Sequence, residues 1–165
     1  MNALFQLLAL AGFLLSLLVH VLSLAHVDVM SRVPAVWGLH FGVFAVFIPF
    51  VLALSKQKRE GRRLTASEMR ALLPAPYAWI AVLLFVYVIV NFALFMAATG
   101  HGNAVARDGK YLLMDHGSVE RELSADEYAR MQANVLRGFS GHWMLFYFLP
   151  FAYFRFAVPV SRQAW

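Results

Sequence analysis

Residues 3–25 read ALFQLLALAGFLLSLLVHVLSLA, a run without a single charged side chain. At about 1.5 Å of rise per residue, a helix of that length crosses a hydrocarbon core of roughly 30 Å. Ser23 and Ala25 offer a small-x-small pattern of the kind cleaved after a signal peptide. The run, however, exceeds the roughly 7–15 apolar residues of a signal sequence and has no basic stretch before it. It reads as a first transmembrane helix.

Three more stretches are of the same kind, residues 34–54, 76–98 and 139–158. Pro34 and Pro76 stand at the starts of the second and third, where a missing backbone N–H costs a helix nothing. Helices buried in a soluble protein seldom lack a charged face altogether, and four in one chain point to lipid. The expected fold is therefore an all-α, four-transmembrane-helix bundle forming one domain over residues 1–165. Composition agrees. Hydrophobic residues make up 61% of the 165 and charged residues 14%, against about 25% charged in a typical soluble domain.

The net charge of +5 is gathered largely in residues 55–75, with Lys56, Lys58, Arg59, Arg62, Arg63 and Arg70. That is a topology signal rather than a nucleic-acid footprint, and it predicts a cytoplasmic loop. Both termini then lie on the cytoplasmic side, and residues 99–138 on the other. The expected setting is a bacterial cytoplasmic (inner) membrane, the expected partners are lipid and further membrane subunits or copies of this chain, and nucleic acid is excluded. With no cysteine, disulfides and thiolate metal sites are excluded as well.

Two loops carry their own signals. Thr65 to Glu68 is a capping box that predicts a short interfacial helix. In residues 99–138, Lys110–Leu113 and Val119–Leu123 flank a turn at Gly117 and predict a β-hairpin. A second capping box, Ser124 to Glu127, predicts a helix carrying Tyr128, Met131 and Val135 toward the membrane and interrupted around Gly138 and Gly141. Together they form a small hairpin-plus-helix cap between the third and fourth spans, too short to hold a core of its own.

Small and polar residues mark helix faces that pack together in lipid. Ala9, Gly12, Ser16, His20 and Ser23 make such a stripe on the first span. Gly38, Gly42, Ala45, Pro49 and Ala53 make one on the second, with Gly38-x-x-x-Gly42 as a close-approach motif. Asn91, near the middle of the third span, must find a hydrogen-bond partner there. The fourth span is dense in aromatic residues and contains Pro150, expected to bend it, and Arg155.

All six histidines fall at one end of this topology. His20, His40, His101 and His142 are the candidate metal or haem ligands, one from each span or its end, with His26 and His116 nearby. Imidazole with thioether suits copper, imidazole with carboxylate suits zinc or iron, and two facing imidazoles can hold a haem. No HxxxH or HxH pair fixes any of these, and Ser140 and His142 diverge on a helix, which argues against a hydrolytic pair. Three functions stay open: an accessory or scaffold subunit of a membrane complex, a metal- or haem-binding redox protein, and a small oligomeric transporter or channel. The first is favoured because Arg155 is the only charged residue within a span, whereas pumps and transporters usually need an intramembrane ionisable pair.

Overall fold

The computed structural model describes residues 2–59, 73–99 and 102–157; the capping box at Thr65 and the candidate ligand His101 lie outside them. The chain is mostly helical and also contains a small three-stranded sheet. Among the described residues three helices are long and apolar enough to cross a membrane: Asn2–Leu24, Pro34–Arg59 and Ala75–Thr99.

Helix α1 (Asn2–Leu24) buries Ala9, Gly12, Ser16, Val19, His20 and Ser23, the small and polar stripe with one valine added, and exposes its leucines except the half-buried Leu10 and Leu22. The chain then reverses through a Schellman turn, with His26 N–H donating to Ser23 O and Val27 N–H to Leu22 O. A single turn, α2 (Val29–Arg32), is capped by Asp28, which accepts from Ser31 N–H at 3.0 Å. A 3₁₀ turn over Pro34–Trp37 leads into α3 (Gly38–Arg59). This helix outruns the expected end at residue 54. Lys56, Lys58 and Arg59 occupy its last turn, where cations favour the helix dipole.

The expected packing stripe on α3 is corrected. Its buried residues are Val43, Val46 and Phe50, while Gly38 and Ala45 are exposed. The reason is that α3 meets its neighbours through large side chains that reach across, such as Tyr147, rather than by close backbone approach.

Helix α4 (Ala75–Thr99) buries only Ala78 and Asn91. Next come β1 (Asn103–Arg107), β2 (Lys110–Asp115) and β3 (Ser118–Leu123), paired antiparallel in that order. The hairpin was anticipated as β2–β3; strand β1 was not. Yet Asp108-Gly109 is a strong two-residue hairpin signal. Both residues take positive φ, 52° and 75°, and Arg107 pairs with Lys110 across them. His116-Gly117 repeats the device at 46° and 86°. The sheet leans on the start of the last helix, with Tyr111 stacked on Tyr128 at 4.3 Å and Gln132 Nε2 donating to Ala104 O.

That last helix, α5 (Ala125–Ala152), runs unbroken through Gly138 and Gly141, which corrects the expected interruption. Those glycines do not loosen it; they let α4 approach. A π-turn over Tyr153–Ala157 follows Pro150, whose ring carries no N–H for the regular ladder. Of all the helices α5 is the most buried, packing against α1, α4 and α3. α3 and α4 flank it with little contact between themselves.

The capping box is complete. Ser124 Oγ accepts from Glu127 N–H, and Ser124 N–H donates to Glu127 Oε2 at 2.8 Å. Arg121 adds a contact to Glu127 at 2.9 Å. The Arg121 hydrogen bond first, then those from Ser124, hold the Glu127 carboxyl down from 4.5 to about 2. A carboxyl depressed on folding stabilises above its unfolded value, and the effect is lost as pH falls through the folded one. The first turn of α5 is therefore expected to stay capped until pH drops from about 4.5 toward about 2. Amide resonances of Ser124 and Glu127 should titrate together in that window, and Glu127→Gln should abolish the titration. A midpoint near 4.5 would contradict the cap geometry.

Candidate functional site

The polar residues of the helices converge at the sheet-bearing end, around α5. His20 is buried between α1, α4 and α5. Its Nδ1 lies 2.9 Å from Ser140 Oγ, and its Nε2 meets the Tyr87 hydroxyl. Ser140 also donates to the Arg137 carbonyl at 3.3 Å. A serine hydroxyl has one proton, so it must accept from His20, which puts the ring proton on Nδ1 and leaves Nε2 to accept from Tyr87. One imidazole thus joins three helices. Ser140 is fully buried, so this Ser–His contact has no path for a substrate and serves packing.

Asn91 sits beside it. Its Nδ2 donates to the carbonyls of Arg137 (3.2 Å) and Gly138 (3.5 Å) on α5. The amide can come this near only because residue 141 is glycine: a Cβ there would collide with Asn91 Nδ2. One turn along, a Cβ on Gly138 would fall 2.7 Å from the Phe95 ring. The chain continues outward through Asn134, which donates to Thr99 Oγ1 at 3.1 Å and accepts from Arg137 Nη2 at 2.9 Å. Ser16 Oγ and Arg137 Nε are buried without a partner among the described residues.

Two cavities flank this seam. The larger is an apolar groove of about 530 Å³ between α3 and α4, with α5 as its floor. Phe44, Phe47, Phe92, Phe95, Phe139, Trp143 and Phe146 line it, together with His40 and His142. Trp143 Nε1 donates to His40 Nδ1 at 3.0 Å, so the neutral His40 ring keeps its proton on Nε2. His142 Nδ1 lies 2.8 Å from Gly138 O, which can only accept; its proton is on Nδ1, and Nε2 remains an acceptor. The groove is walled almost wholly by aromatic and aliphatic surface, with His40 and His142 among the residues that line it. The smaller cavity, on another face of α5, has a larger share of polar surface.

Comparison with known protein families, with curated proteins and with solved structures finds no match.

Of the candidate ligands, the described ones do not gather. His40 and His142 share the groove, His20 is committed to the seam on the α1 side, and His116 pairs with Asp115 at 2.9 Å in the β2–β3 turn. Among the described residues no three of His, Cys, Asp and Glu stand close enough together to hold a metal ion. Of the helix-packing residues, Gly12 lies against Tyr147, Gly42 against its hydroxyl, Ser16 and Asn91 are buried, and Gly38 faces open space. The residues missed from sequence are Trp143 as the partner of His40, and Arg130 and Arg137, whose separation by seven positions was the available signal.

Proposed function

We propose that this chain is a four-span membrane protein, with α5 as the fourth span and both termini on the cytoplasmic side, acting without catalysis as an accessory or scaffold subunit of a membrane complex. The groove between α3 and α4 is its contact site and receives a transmembrane helix of a partner subunit. The observation that carries this reading is a groove of about 530 Å³ left open between two helices that scarcely touch. A self-sufficient bundle would close it. The walls are almost wholly aromatic and aliphatic, a surface that apolar side chains of a partner helix can pack against. α4, with two buried residues in its whole length, offers further surface to such a partner. α5 falls short of the apolarity of the other three, as befits a helix shielded from lipid by its neighbours.

A photo-crosslinking residue placed at Phe44 or Phe92 in native membranes should yield one discrete protein adduct. The same residue at Leu7 or Leu14, on the exposed face of α1, should yield lipid adducts only. Lipid adducts at all four positions would sink the reading. A haem, copper or zinc centre is the second reading, favoured only by His40 and His142 sharing the groove. A Soret band or stoichiometric metal in the purified chain would establish it.

A further inference from the structure

A second cavity, of about 280 Å³, opens between the ends of α1 and α4 against a different face of α5. Arg130, Asn134 and Arg137 line it from α5, Ser23 and His26 from the end of α1. Spacings of three, four and seven put the first three on one helix face. Among the described residues no aspartate or glutamate lines the cavity, and neither arginine pairs with a carboxylate. Asp126, one turn before Arg130, does not engage it, and Glu127 is taken by Arg121 and Ser124. Arg137 gives Nη2 to Asn134 while its Nε is sealed from water with no acceptor. Two guanidinium groups lining one cavity without a carboxylate favour an anionic occupant.

The Schellman turn that ends α1 places its left-handed residue at His26, with φ of 58°, and brings that residue to the edge of the cavity.

We propose that this cavity binds a phosphate group, presented either by the head of an anionic phospholipid or by a soluble phosphate. The planar guanidinium fork matches the paired oxygens of phosphate, and Arg137 brings one to the cavity wall. Arg130 supplies a second cation at the open rim, and Ser23, Asn134 and His26 supply polar edges. The site lies where α1 and α4 both end, the level at which lipid headgroups meet a spanning helix. It does not depend on what fills the groove.

The test is native mass spectrometry of the full chain in non-ionic detergent, titrated separately with phosphatidylglycerol, phosphatidylcholine and inorganic phosphate. At least one of the two anionic probes should be retained about tenfold more tightly than phosphatidylcholine. Arg137→Gln should weaken that retention about tenfold, the scale of one charge-assisted contact. Retention of phosphatidylglycerol alone puts the phosphate on a lipid; comparable retention of inorganic phosphate makes it soluble. Arg130→Gln, at the exposed rim, carries the test if Arg137→Gln does not fold. Lys110→Gln removes the same charge from the sheet and should change nothing. No preference for either anion over phosphatidylcholine, or an equal loss in Lys110→Gln, overturns the proposal.

Discussion

Gly12→Val is expected to lower the unfolding free energy of the chain in detergent by about 3 kcal/mol, the upper range for forcing bulk into a packed interior. A Cβ at residue 12 would fall 2.2 Å from the nearest ring carbon of Tyr147. That ring cannot retreat. Its hydroxyl donates to Leu39 O at 2.7 Å and rests against Gly42, so Tyr147 braces α5 against α1 and α3 at once. Gly38→Ala is the matched control. Nothing lies within 4 Å of its Cβ position, and the substitution should shift stability by less than about 0.5 kcal/mol. If the defect in Gly12→Val is steric, Tyr147→Leu in the same chain should recover part of it, since the two sites are in contact. Equal losses at residues 12 and 38 would show that glycine matters at both for its backbone alone.

Trp143→Ala is expected to cost about 3–5 kcal/mol, as large aromatic truncations in a packed interior do. Trp143 is 1% exposed and packs edge-on against Trp37, near Phe139 and His40. Trp143→Phe separates ring from hydrogen bond. It keeps most of the bulk but withdraws the N–H that meets His40 Nδ1 at 3.0 Å, a loss of about 1 kcal/mol. Thermal unfolding followed by near-ultraviolet circular dichroism reads both. A Trp143→Ala loss no larger than that of Trp143→Phe would mean that the ring is not part of the packed interior.

How far the sequence reached depends on the kind of signal. The three apolar helices announce themselves through length and hydropathy, properties that each helix has by itself. The stripe on α1 was equally legible, because small and polar residues among leucines have few other uses in lipid. On α3 the same logic misled: Gly38 and Gly42 suggested close approach, whereas contact is made by side chains reaching over from α5, which no spacing within α3 encodes. The glycines of α5 were read as weak points because their partners, Phe95 and Asn91, lie more than forty positions away in the chain. Strand β1 was overlooked although its turn, Asp108-Gly109, was in plain view. The histidines shared one end but not one site. Depth along a span follows from sequence position; the face on which a ring finds its partner depends on how the helices are rotated, and that is settled by packing.

The central placement of α5 bears on how the chain is assembled in a membrane. Synthesis proceeds from the amino terminus, so in the four-span arrangement α1, α3 and α4 enter first, each apolar enough to partition without help. Their polar residues, His20 and Asn91 among them, then wait in lipid without the carbonyls and hydroxyl that α5 will bring. In that arrangement α5 would arrive last, with Ser140, His142 and Arg137 making its own partitioning marginal, and its insertion would draw on the partners already waiting. Insertion and folding would then be one event, and a ribosome stalled before residue 125 would leave His20 and Asn91 without the hydrogen-bond partners that α5 supplies.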